Sequence, residues 1–377
     1  MKFPSIFVPK RTLVRAPTRD NLTFDAAPMM PIDQFGNMRG RVFDHAYKTH
    51  DGRTVDSTGA FLVGELERLD QTLNMPLASV TWSRDIELRE DVSLGDELSS
   101  FTLSTIAAAG NLGAGNGIRN GKAWIGKSTD QIGGVSVDIG KQAFPLTLWG
   151  MEVKYTIPEL ESAARAGRPV DDQKVEGLKL KHQMDIDEQV YVGDASLGVT
   201  GLVNNSLVTN VSNVPNGAAA SPLWSSKTPA EILADVNAVL TSVWQTSAYA
   251  EMANRLLLPP ALFGYIAQQL ISSAGTVSIL KYLLENNVLT ASGKGQLEIL
   301  PAKWLVGAGV GGTIGTPGTV DRMMAYRKEK RLVRYPMTAI QRTPIQYESI
   351  YHKMTYYCRL GVVEVVYPET IGYRDGI

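Results

Sequence analysis

The opening stretch of this chain has too little apolar pattern to bury itself. From Met1 to about Asp56 the hydrophobic residues follow no helical or strand period, and Pro4, Pro9, Pro17, Pro28 and Pro31 punctuate them. A segment of this kind cannot offset the entropy of ordering itself. It still carries aromatic side chains, Phe3, Phe7, Phe24, Phe35, Phe43 and Tyr47, which favours an arm that orders against other chains over a free tail. A second region makes the same demand. Phe101 to Ile106 and Val135 to Ile139 read as strands on either side of a turn rich in glycine and asparagine, Gly110 to Gly121. They form a long hairpin, polar on both faces, and such a ribbon is marginal in water without a supporting surface.

The rest of the chain can fold. Hydrophobic residues make up 44% and charged residues 20%, so a core is available. A length of 377 residues suits two lobes with extensions better than one core. Lys+Arg is 37 and Asp+Glu is 38, a net charge of -1, which argues against a dedicated nucleic-acid binder and suits a protein packed against many copies of itself. The single cysteine, Cys358, excludes an intrachain disulfide and a C-x-x-C site. No apolar run reaches the roughly 18–20 residues that span a bilayer. The N-terminal residues Lys2, Lys10, Arg11 and Arg15 flank no long apolar core, so they read as a basic arm and not a signal peptide. A cytoplasmic protein, or a virion part built in cytoplasm, is the expectation, with no membrane partner.

Several elements are legible. Thr58 to Leu73 has helical spacing. Val80 to Ala109 reads as extended chain, strand-like at Trp82 to Leu88, and Phe144 to Tyr155 as one extended run. Pro158 and Glu159 start a helix that Gly167-Arg168-Pro169 interrupts. A longer helix then runs from Val170 to Val192, with Val175, Leu178, His182, Ile186 and Val190 as its stripe and Gly193 as its stop. Thr228-Pro229-Ala230-Glu231 is a capping box, and Ile232, Val236, Val239, Leu240 and Val243 form the buried side behind it. Arg255 to Leu258 reads as a buried strand. Ala261 to Ile271 and Val277 to Glu285 read as helices, Leu297 to Val306 as a strand, and the last part, Met323 to Tyr367, is β-rich. The fold class is α+β with segregated elements.

Chemistry finds little support. His45 and His50 are too far apart for one helical turn and lack a carboxylate cluster, while His182 and His352 read as packed residues. Gly307-Ala308-Gly309-Val310-Gly311-Gly312 matches a dinucleotide fingerprint. Gly315, Pro317 and Gly318 forbid the helix that such a site needs, which leaves a mobile loop. Cys358 sits in a strand run with no base that sequence can place beside it, and Asp171-Asp172 suits a helix start. No catalytic, cofactor-binding or metal-binding residue is assigned, and the chain is read as not an enzyme. Two basic clusters remain, the N-terminal arm and Tyr326-Arg327-Lys328-Glu329-Lys330-Arg331. Each could face DNA, or the second could be a salt-bridged turn.

The order of arm, hairpin, long helix, separate lobe and returning strands resembles a known family. So do Pro145-Leu146-Thr147-Leu148-Trp149-Gly150, Tyr155-Thr156-Ile157-Pro158-Glu159-Leu160, Tyr191-Val192-Gly193-Asp194 and the run from Tyr357-Cys358 through Gly361-Val362. The chain is similar to the major capsid proteins of tailed bacteriophages, the Hong Kong 97-like capsid fold shared with encapsulins. The resemblance implies an N-terminal arm over 1–77 and an extended β-hairpin loop over 78–148. It implies a peripheral domain with the long spine helix over 149–198 and 343–377, and an axial domain over 199–342. It implies self-assembly as hexamers and pentamers into an icosahedral head around double-stranded DNA. Portal, scaffolding or decoration proteins would be partners, and DNA contact would be non-specific. Lys122 and Lys127 lie in the loop that some relatives crosslink, but no acid–base group can be placed beside them. An encapsulin-type compartment shell and a nucleotide-binding enzyme using Gly307 to Gly312 are the rival readings.

Overall fold

The computed structural model describes residues 77–108, 127, 135–166, 170–272 and 276–377. The arm, its helix at Thr58 to Leu73, the turn at Gly110 to Gly121 and Gly167-Arg168-Pro169 lie outside the described residues. The described chain enters through a one-turn helix, α1 (Trp82–Asp85), where extended chain was expected. The cause is distant in sequence. The Asp187 carboxylate accepts from the backbone N–H groups of Thr81 at 2.8 Å and Trp82 at 3.0 Å, and Trp82 and Ile86 are buried. Of the extended run expected at Trp82 to Leu88, strand geometry begins only at β1 (Glu87–Arg89).

The hairpin follows as β2 (Leu98–Ala108) and β3 (Val135–Pro145). They pair antiparallel from Leu98 opposite Pro145 to Ala108 opposite Val135. The single run expected from Phe144 to Tyr155 is broken. Leu146 is buried and its N–H bonds Glu97 at 2.9 Å, so β3 stays with the hairpin while β4 (Thr147–Thr156) joins another sheet. Helix α2 (Ile157–Ala166) starts with Thr156 accepting from the Glu159 N–H. The spine helix α3 (Val170–Tyr191) buries Leu178, His182, Ile186 and Val190, the stripe its sequence marks. Gly193 ends it with φ +80°, and a Cβ there would lie 2.5 Å from the Val199 carbonyl, so only glycine fits before β5 (Gly193–Asp194) and β6 (Val199–Thr200) pair.

The second lobe begins with β7 (Val211–Asn213) and α4 (Pro229–Thr246). The capping box is present: Thr228 accepts from the Glu231 N–H, and the Glu231 carboxylate accepts from the Thr228 N–H. Then come β8 (Arg255–Leu258), α5 (Pro260–Gln268), α6 (Ile279–Glu285) and α7 (Val288–Ala291). The strand expected from Leu297 to Val306 is shorter, β9 (Glu298–Pro301), because the chain turns into a 3-10 segment at Lys303–Leu305. The closing part holds β10 (Arg322–Tyr326), β11 (Val333–Pro336), β12 (Gln341–Arg342), β13 (Gln346–Glu348), β14 (Tyr351–Leu360), β15 (Glu364–Val365) and β16 (Ile371–Asp375).

Besides the two-stranded pairs β2-β3 and β5-β6, three larger sheets organise the strands of the described residues. The five-stranded sheet has the order β7-β16-β10-β8-β9 and is covered on both faces. Leu256, Leu258, Met323 and Ala325 point to the core under α4, while Leu257, Met324 and Tyr326 point to the core that holds Ile186, Val190 and Tyr191 of the spine helix. Burial on both sides explains why β8 and β10 are continuous apolar runs and do not alternate. The strand nearest the C-terminus, β16, joins this sheet, and Arg322 fixes it with two bonds to Asp375 at 2.7 and 2.9 Å. A second sheet pairs β4 with β14 from Thr156–Tyr351 to Thr147–Leu360, with β12 and β13 on the other side of β14. Val153, Tyr155 and Tyr356 of this sheet meet Leu178 of α3. The third sheet has the order β1-β11-β15.

Candidate assembly surfaces

The fold brings together one pair that sequence reasoning left apart. His182 Nε2 lies 3.2 Å from Cys358 Sγ, and its ring stands edge-on to Trp149 with centroids 4.7 Å apart. A thiol beside an imidazole is the start of a nucleophilic site, but the electrostatics here oppose one. Burial pushes the Cys358 thiol up to about 12 and pushes the His182 imidazole below its usual range, so both stay neutral near pH 7. The pair packs the seam between α3 and β14. His352 stacks edge-on against Tyr347 at 4.6 Å. His45 and His50 lie outside the described residues. Among the described residues no group of three or more His, Cys, Asp and Glu could hold a metal ion. No described helix is long and apolar enough to cross a membrane.

The Gly307 to Gly318 loop was expected to be mobile and is instead tied at several points. The Gly307 N–H donates to Asp321 at 2.8 Å, Gly309 to the Val320 carbonyl at 2.8 Å, Val310 to Asp375 at 3.0 Å and Gly315 to the Val306 carbonyl at 2.8 Å. These N–H groups are the donors that a pyrophosphate would need, and the protein itself uses them. The second basic cluster is likewise occupied. Arg331 meets Glu251 at 2.6 Å, Arg327 lies near Glu251 and Glu329, and Lys328 donates to the Arg84 carbonyl at 2.8 Å and meets Glu87 at 3.3 Å. It is a salt-bridged turn.

The body also leaves apolar side chains uncovered. Five consecutive residues of β3, Val137 to Lys141, are exposed, so both faces of that strand meet solvent. Val137 is 56% and Ile139 68% exposed, and Leu98 lies open on the partner strand. A second patch sits at one end of the β4–β14 pair, where Ile157, Ile345, Tyr347, Ile350 and Tyr351 are all exposed. Contiguous exposed apolar side chains mark contact surfaces.

The sequence profile of the Major capsid protein family matches residues 121–377. The chain belongs to this family. Solved structures similar to the chain include the capsid of Myoviridae phage XM1, at 16% identity over 83% of this chain and 98% of that one, with a TM-score of 0.63. A chain of Mycobacterium phage Adephagia matches at 11% identity over 83% and 96%, with a TM-score of 0.53. One of Microbacterium phage Oxtober96 matches at 10% identity over 85% and 98%, with a TM-score of 0.50. No curated protein sequence matches it. The fold is the Hong Kong 97-like capsid fold expected above, and the chain is a shell-forming capsid protein.

The attachment of the hairpin to the body was invisible to sequence reasoning. Arg89 Nη1 reaches the Ser99 hydroxyl at 3.1 Å, the Ser100 carbonyl at 3.0 Å and the buried Glu364 carboxylate at 3.2 Å. Arg359 donates to the Leu94 carbonyl at 3.0 Å and to the Leu146 carbonyl at 2.9 Å. Phe101 and Phe144 stack with centroids 5.9 Å apart, and the Arg334 guanidinium lies 5.8 Å from the Phe101 ring. The only local hint was an acid in the apolar run Val362-Val363-Glu364-Val365.

Proposed function

We propose that the chain closes an icosahedral head as hexamers and pentamers around double-stranded DNA, and that it does so without enzymatic chemistry. The observation that carries this reading is β3 at Val137 to Lys141, a strand with solvent on both faces. A two-stranded ribbon of that kind is marginal alone and gains by lying on a sister copy. Each buried Å² of its apolar surface would contribute about 25 cal/mol before ordering costs are subtracted. Weak contacts repeated by closed symmetry then add up, while single misplaced subunits can leave.

On this reading the arm covers 1–77, the extended loop 78–148, the peripheral domain 149–198 and 343–377, and the axial domain 199–342, with β16 reaching across into the axial sheet. The patch at Tyr347 and Ile350 is a second contact between copies. Portal, scaffolding or decoration proteins would join the shell, and DNA would touch it without sequence preference. Assembly would take place in the host bacterial cytoplasm. Negative-stain microscopy of the purified protein tests the reading. Closed, even-sized particles are expected. A protease-resistant monomer at high concentration would overturn it, and particles that enclose a protein cargo and no nucleic acid would favour a compartment shell.

A further inference from the structure

We infer that Glu364 is a latch that sets the direction in which the hairpin leaves the body, and through it how subunits meet; the second half rests on the assembly reading above. Glu364 lies in β15 and is fully buried. Its carboxylate accepts from Arg334 Nε at 2.6 Å, from Arg89 Nη1 at 3.2 and 3.3 Å, and from the Ser99 hydroxyl. The two guanidiniums come from β11 and β1, and the hydroxyl comes from the hairpin leg β2. One carboxylate therefore joins all three strands of the small sheet to the base of the hairpin. Arg89 tightens the joint by also holding the Ser100 carbonyl at 3.0 Å and the Asp91 carboxylate at 2.7 Å.

The position of this joint gives it its effect. Every fastening falls between Leu94 and Phe101 on one leg and between Phe144 and Leu146 on the other, where Arg359 holds Leu94 and Leu146. Among the described residues, no hydrogen bond from the body reaches either leg beyond Ser100 or before Leu146. Phe101 is buried, whereas Thr102 and Ser104 on the same strand are exposed. The hairpin is thus a lever whose angle is decided at its root. A buried carboxylate between two guanidiniums is a joint of low tolerance, because displacing any partner leaves an uncompensated charge out of water. Arginine's planar fork adds fixed directions to the bonds. Ser99 is the one hairpin side chain in the network, which makes it the mildest place to open the joint.

The test uses the full chain. Amide hydrogen exchange is measured below the concentration at which particles form, and negative-stain microscopy is done above it. Ser99→Ala keeps both arginine–carboxylate pairs and the backbone bonds at Ser100, Leu94 and Leu146, and removes the two bonds of the Ser99 hydroxyl, to Glu364 and from Arg89. It should raise exchange at Phe101 to Leu103 and at Gln142 to Phe144 by about tenfold and leave α4 unchanged. The same variant should turn uniform particles into open or mixed-size ones. Glu364→Gln should do both more strongly. If Glu364→Gln fails to fold, Arg89→Lys replaces it, since lysine keeps the charge and loses the fork. Hairpin exchange in Ser99→Ala within about twofold of the parent overturns the latch, and so do uniform particles from a variant whose root has loosened. A parent chain that forms no particles at all overturns the assembly reading instead, and the exchange comparison still decides the latch.

Discussion

The lobe around α4 and the hairpin of β2 and β3 solve opposite problems with the same alphabet. In the lobe, Ile232, Val236, Val239, Leu240 and Val243 are all fully buried, and Trp224 fills the same core. Even its buried charges are matched there: Lys227 Nζ meets Asp235 at 2.7 Å, and Asp235 also accepts from Trp224 Nε1 at 3.1 Å. In the hairpin, Val137 and Ile139 alternate as strand residues should, and neither is covered. One region completes itself within the chain. The other is written for a surface that the described residues do not supply. Stability and assembly should therefore respond to different mutations.

The contrast would break first at Trp224. Trp224→Ala should destabilise the folded chain by about 4 kcal/mol, from lost burial and a cavity, as read by thermal or denaturant unfolding. A loss below about 1 kcal/mol would mean that the lobe is not the stable part. Thr228→Ala removes the side-chain half of the capping box and should cost about 1 kcal/mol in the same measurement.

The seam between α3 and β14 sharpens the contrast through pH. Burial is the main influence on His182 and lowers its proton affinity; Asp185 opposes it, and Trp149 and Cys358 face the ring. The unfolded chain therefore takes the proton first as pH falls. The His182 contribution is complete above about 6.5 and declines below it, down to the folded value. Melting temperature in the parent should fall across that window, and His182→Gln should flatten the fall. An identical slope in both proteins would remove His182 from the account. The smallest effect on folding belongs to the hairpin. Ile139→Ser should change unfolding free energy by no more than about 0.5 kcal/mol, yet lower the yield of particles counted by microscopy.

Legibility from sequence followed the range of the interaction that decides each element. Helix α4 could be read because Thr228, Pro229 and Glu231 are neighbours and the stripe repeats within one helix. The spine helix and the buried strand Arg255 to Leu258 were legible for the same reason. α1 was misread because Asp187, 105 residues from Trp82, captures the N–H groups that would have belonged to a strand. The hairpin root was missed because Ser99 and Glu364 are separated by 265 residues. The Gly307 loop looked loose because glycine permits mobility, while Asp321 and Asp375, which pin it, give no sign of doing so in the sequence. Local chemistry predicts elements; the contacts that aim them come from elsewhere in the chain.

The lone sulfhydryl at Cys358 has a practical consequence. It is sealed between the spine helix and β14, with its proton held to about pH 12, so alkylating reagents should pass the native protein by. Once the seam parts, the same thiol becomes ordinary and reacts. With one such group in 377 residues, mass-spectrometric labelling at this position serves as a built-in gauge of how often the helix lifts from the sheet, and no reporter has to be engineered to read it.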